Sequence, residues 1–242
     1  MTRHRLPLSP ALPEFDGVPL DGLRFAYLAC DVFDAIRSTP EGIAQIRARS
    51  PRRVRKLMAE ILPIAKWVQE SYRPGRRIGI TWRDGGQRFD AEVIQVGAQI
   101  ENSTIPERCI LEVTQAVHPK DHLVRKHLAI HGHAFSPDGM SRNADGSTDS
   151  QAVSYDRLQR SMGDAGLVLD AIRKKTNKRP AYPDGSLLIV VMTPSCLHLT
   201  DEWAAMLDAV DDSMEFGPFR EVYVYDESTY RGRVFYRPPS AD

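Results

Sequence analysis

The stretch from Arg77 to Gln115 constrains the fold more than any other part of the chain. It reads RIGITWRDGGQRFDAEVIQVG, then a polar interruption, then RCILEVTQA. Ile78, Ile80 and Trp82 alternate with small or polar residues, and Asp84-Gly85-Gly86 is a turn signal, so the pattern predicts a hairpin. On the return strand, 88–96, Asp90 and Glu92 stand two apart, which sends both carboxylates off one face of a sheet. A third strand, 109–114, is a short apolar run broken by Glu112. A charge inside a buried strand is costly unless it is paired or binds a metal. Acidic side chains on neighbouring strands of one sheet therefore predict a cation site.

The chain has 242 residues, enough for one large domain or a domain with an appendage. Thirty-two basic residues balance 32 acidic ones, so a nucleic-acid partner would have to be held by local patches rather than by net charge. Cys30, Cys109 and Cys196 lie in apolar segments at no metal-ligand spacing, and an odd number argues against a disulfide framework. They suit a reducing cytoplasm. The opening MTRHRLPLSP has prolines where a signal peptide needs its apolar run, and no stretch approaches membrane-spanning length. These features predict a soluble cytoplasmic protein with no membrane contact, and they are compatible with a homo-oligomer.

Residues 1–20 are proline-rich and predict an irregular arm. Helical periodicity follows over 20–37, with Asp21 as cap, and Thr39-Pro40-Glu41 opens a second helix. Ser50-Pro51 opens a third, to about Tyr72, which Pro63 should kink. Its first turns carry Arg52, Arg53, Arg55 and Lys56, where cations oppose the helix dipole. Either they form a solvated face or they meet phosphates of DNA. A helix from Pro119 to His131 stops at Gly132, and residues 133–153, rich in Ser, Asp, Gly and Asn, predict a long exposed loop. A long helix over 155–177 ends in Arg173, Lys174 and Lys175. SLLIVVM, 186–192, predicts a central strand buried on both faces, and a helix over 201–211 and a strand near 219–225 follow. A last edge strand is expected over 231–236. This order predicts an α/β three-layer sandwich of αβββαβ type with a central mixed sheet and an added N-terminal helical segment, residues 1–50, ahead of the main domain, 51–242.

An αβββαβ core with Asp90 in FDAEV, Glu112 in ILEVT and Glu60 on the preceding helix resembles the PD-(D/E)XK, or restriction-endonuclease-like, nuclease superfamily. The resemblance covers roughly Pro51 to Tyr225. It implies that Asp90 and Glu112, with Glu60 as an auxiliary carboxylate, hold Mg²⁺ or Mn²⁺, and that the chain is a metal-dependent DNA endonuclease-like phosphodiesterase. The superfamily's lysine two residues after the Glu is Thr114 here, a residue that bonds water but carries no charge. Lys120, Lys126, Lys174 and Lys175 are the substitutes, with Lys174 and Lys175 favoured because their helix should pack beside the sheet. The alternative that Thr114 raises is a catalytically inactive nuclease-like scaffold acting as a protein- or DNA-binding module.

Five histidines make a second constellation: His118, His122, His127, His131 and His133. The spacing of four in two pairs suits zinc on a helix face, yet no HExxH motif is present, and a packed polar edge explains them as well. Ser195-Cys196 follows the buried strand without a G-x-S-x-G elbow, and there is no P-loop. Trp67, Trp82 and Trp203 read as core or interface residues.

Overall fold

The computed structural model describes residues 12–102, 105–194 and 197–238. The chain opens with a two-residue strand β1 (Leu20–Asp21), then helices α1 (Gly22–Arg37), α2 (Pro40–Ala48) and α3 (Arg52–Lys56). A π-helical turn, Leu57–Ile61, leads into α4 (Leu62–Ser71). The meander β2 (Arg77–Trp82), β3 (Ala91–Val96) and β4 (Arg108–Ala116) follows, with short α5 (Ala98–Glu101) between the last two. Then come α6 (Asp121–His131), a small hairpin of β5 (Met140–Arg142) and β6 (Thr148–Ser150), and α7 (Arg157–Thr176). Strand β7 (Ser186–Met192), α8 (Thr200–Ser213), β8 (Phe219–Asp226) and β9 (Arg231–Tyr236) complete the fold.

Seven strands form one sheet in the order β1-β2-β3-β4-β7-β8-β9. The pairs from β1 to β4 are antiparallel, β4–β7 and β7–β8 are parallel, and β8–β9 is antiparallel. Alternation along the strands divides the core into two layers. Leu111, Leu187 and Ile189 face one side with Phe25, Leu57, Ile64 and Trp67 of the N-terminal helices. Leu188, Val190 and Val222 face the other side with Val168, Ile172 and Met206 of α7 and α8. Every residue of β7 is buried, as its unbroken apolar run predicts. The result is the expected three-layer sandwich around a mixed sheet.

The segment before residue 51 is built into the same body. Phe25, Ala26 and Ala29 of α1 share a core with Leu57 and Val68, and β1 pairs with β2. Asp21 caps α1 as expected, accepting from the Leu23 amide at 3.0 Å. Of the expected arm, residues 1–11 lie outside the described residues, while Leu12 and Phe15 are buried against the body. Two boundaries move. Strand β3 starts at Ala91, leaving Phe89 and Asp90 in the turn that precedes it. Residues 133–153 hold the β5–β6 hairpin rather than a bare loop, because Met140 and Thr148 turn inward beneath α6.

At Pro63 the helix is irregular one turn earlier, in a π-helical turn. Proline lacks an N–H and its ring crowds the carbonyl four residues back, that of Ala59. The π-helical turn Leu57–Ile61 includes that residue. The Ala59 carbonyl instead accepts from Nε2 of Gln115 on β4 at 3.2 Å, so strand and helix are tied where the helical ladder slips.

A buried charge pair fastens the same layer. Arg76 has no exposed surface, and its guanidinium donates to Glu221 on β8 at 2.8 Å and to Gln95 on β3 at 2.8 Å. The Trp67 indole donates to the other oxygen of Glu221. Each buried polar group thus finds a partner, which makes an ion pair in an apolar layer tolerable.

Candidate functional site

Asp90 sits just before β3 begins, where β4 runs on past it. The amide of Val113 points toward the space that β3 has vacated, and Oδ2 of Asp90 accepts from it at 2.7 Å. This bond holds the carboxylate close to the plane of the sheet, where it feels groups from both layers. Burial pushes its pKa up to about 7, helped by the negative charges of Glu60 and Glu112 and opposed by the Val113 bond and Lys56.

Glu60 comes from the π-helical turn and is held by Lys56 at 2.6 Å and by the Trp82 indole at 3.2 Å. Glu112, in the middle of β4, is buried. Its carboxylate accepts from the ammonium of Lys175 on α7, and the Tyr182 phenol feels its negative charge. Burial first, and then the Glu112 charge, raise the Tyr182 phenol well above its ordinary range. No local pattern ahead of β7 reveals that Tyr182 comes near Glu112.

Of the two favoured lysines the fold brings one to the site. Lys175 lies on Glu112, whereas Lys174, its neighbour on a helix, is exposed on another face. Lys120 and Lys126 are committed elsewhere, donating to backbone carbonyls of Met140 and Gly146 and so pinning the small hairpin. Thr114 follows Glu112 on the same strand face, half-buried. Glu92, expected to join the acidic group, turns instead to Arg83 at 2.9 Å on the exposed edge. Glu60 supplies the third negative charge near Asp90. Among the described residues no group of three or more His, Cys, Asp or Glu is placed to hold a metal ion. What the fold assembles is a carboxylate pair, Asp90 and Glu112, with Glu60 as an electrostatic neighbour.

The basic start of α3 is largely neutralised within the fold. Arg52 makes a two-pronged pair with Asp84 at 2.9 and 2.5 Å, Arg53 faces Glu14 at 3.9 Å, and Lys56 binds Glu60. Arg55 is exposed. The β2–β3 turn thus explains cations that helix electrostatics alone would disfavour.

The histidines fill structural roles. His118 contacts Asp138 at 3.1 Å, and His122 bonds the Pro119 carbonyl at 3.0 Å. His127 is buried against Thr148 of β6, with His131 packed on its ring at 4.2 Å between centroids. Trp67 and Trp82 are core residues as expected, and Ser195-Cys196 lies outside the described residues. No helix among the described residues is long and apolar enough to cross a membrane.

No protein-family model matches this chain, and neither a curated protein nor a solved structure matches it.

Proposed function

We propose that this chain is a phosphodiesterase acting on DNA, with Mg²⁺ or Mn²⁺ held at Asp90 and Glu112 and Glu60 as auxiliary carboxylate, in the manner of the PD-(D/E)XK nucleases it resembles. The observation that carries the proposal is the ammonium of Lys175 lying on Glu112, the carboxylate nearest the Thr114 position where that superfamily has its lysine. The residues present fit a hard divalent cation. The donors are all carboxylate oxygens, and the repulsion that lifts Asp90 is what a nearby double positive charge would relieve. Such an ion, when bound, lowers the pKa of its water and neutralises charge on the phosphate under attack.

The protein's own groups do the positioning. Val113 fixes the rotamer of Asp90 through Oδ2 and leaves Oδ1 to bind. Lys175 orients Glu112. Lys175 also brings one positive charge to the place where negative charge grows during displacement at phosphorus. We place the protein in the cytoplasm: Cys30 and Cys109 are free, and burial pushes the Cys109 thiol up to about 12, so it is an inert core group.

A second reading, a silent scaffold that binds protein or DNA, is favoured by Thr114 and by the partners that Glu60 and Glu112 already have. Incubation of plasmid and oligonucleotide DNA with the protein separates the two. The phosphodiesterase reading expects cutting in Mg²⁺ or Mn²⁺ that is lost in EDTA and in Asp90→Asn and Glu112→Gln. A metal-dependent rise in Tm without cutting selects the scaffold, and no metal response in either assay removes the site.

A further inference from the structure

The layer formed by α7 and α8 ends over β4, and beside it the floor made by β2, β3 and the start of β4 stays open. Two clefts adjoin there. One, of about 400 Å³, is lined by Thr81, Phe89, Ile94, Arg108 and Ile110 among others. The second, of about 310 Å³, is lined by Arg88, Phe89, Lys178 and Tyr182 among others. Phe89, Ile110 and Pro183 border both, so the half-buried Phe89 side chain stands at the junction.

This groove leads directly to the carboxylates. Asp90 follows Phe89 in the chain, and Glu112 lies two residues beyond Ile110 on the same strand face. Its charge is also one-sided. The acids on its walls are taken up, Glu92 by Arg83 at 2.9 Å and Asp184 by Arg237 at 2.8 Å. Among the described residues Arg88 and Arg108 meet no carboxylate, and Lys178 donates to the Tyr182 hydroxyl at 3.0 Å. A cationic, partly aromatic groove suits a polyanion that carries flat apolar units.

We propose that the groove binds a single strand of DNA, with a base against Phe89 and phosphates toward Arg88, Arg108 and Lys178, and delivers the strand to Asp90 and Glu112. The proposal rests on the phosphodiesterase reading for the meaning of that delivery. The same features favour a single strand over a duplex. Each cleft has the volume of a pocket for one small-molecule-sized unit, and paired bases offer no free face to a protein ring.

Fluorescence anisotropy on the full chain in EDTA, with a labelled oligothymidylate and a blunt duplex of equal length, tests the groove without hydrolysis. The single strand is expected to bind more tightly. Phe89→Ala should weaken it by roughly five- to a hundredfold, the loss of one base–aromatic stack. Phe89→Trp should retain binding, which separates loss of the ring from loss of the fold. Arg108→Ala should flatten the dependence of log affinity on log salt by about 0.7. Equal affinity for both DNA forms, absence of single-strand binding, or indifference to Phe89→Ala overturns the proposal. Duplex cleavage that Phe89→Ala leaves unchanged sinks the groove and spares the phosphodiesterase. Phe89-dependent binding of the single strand by a protein that never cuts does the reverse.

Discussion

The ammonium of Lys175, in the last turn of α7, lies on the carboxylate of Glu112 in the middle of β4, across 63 residues of sequence. The helix end thus does what the strand position two residues on, Thr114, cannot. Lys175→Ala should slow DNA cleavage about a hundredfold while substrate affinity changes little, the signature of charge lost mainly in the transition state. The exposed Lys174→Ala should cleave within about twofold of wild type under the same single-turnover conditions. Equal losses in the two variants would assign the effect to general basic charge on the helix.

Asp90 gives the protein a pH dependence of a stated sign. Its folded pKa, about 7, is raised above that of an exposed aspartate. The folded state therefore binds the proton more tightly, and this contribution to stability is full below about pH 4 and lost as pH rises through 7. In EDTA, wild-type protein should lose up to about 4 kcal/mol relative to Asp90→Asn between pH 4 and pH 8. Urea unfolding of both proteins across that range measures it, and parallel curves would show that Asp90 is ionised in the fold throughout.

Removing the Gln115 amide should take from the half-buried Ala59 carbonyl its donor on β4. Gln115→Leu is expected to cost about 1–3 kcal/mol. In a Pro63→Ala background the restored N–H offers that carbonyl a partner, so the penalty should shrink. A double-mutant cycle by urea denaturation checks this, and additive effects would count against the coupling.

Breaking the Arg76–Glu221 pair on one side strands a buried charge. Arg76→Met should destabilise by about 3–5 kcal/mol, and Arg76→Met combined with Glu221→Leu by clearly less. Thermal or urea unfolding reads both, and a double variant as unstable as the sum would show that the two charges do not depend on each other.

The sheet was legible because its strands announce themselves locally: alternation in β2 and β3, an unbroken apolar run in β7. The face of Glu112 was legible for the same reason, since strand periodicity fixes it; Asp90 lies in the turn before β3, and its place is set by the Val113 amide instead. Side-chain commitments across the fold were not. Glu92 has the same spacing as Asp90, yet only the position of Arg83 shows that it belongs to the edge. Tyr182 comes near Glu112 from a turn, and the hairpin at 140–150 depends on packing under α6 that no local pattern encodes. The basic run Arg52–Lys56 reads from sequence as either a solvated face or a phosphate contact, and no local pattern shows that Asp84 and Glu60 take up two of its charges.

The π-helical turn Leu57–Ile61 also works as a phase shifter. A residue advances an α-helix by about 100°, so one residue more than the α register needs rotates α3 against α4 by about that angle. With the turn in place, Val54 faces the core while Arg52 and Lys56 face Asp84. A single-residue deletion between 57 and 61 would restore an even helix and swing Val54 toward water, taking both cations away from the β2–β3 turn. Length in this turn therefore matters more to the fold than the identity of any one residue: substitutions can be absorbed one by one, but a change of register redirects a whole helical face at once.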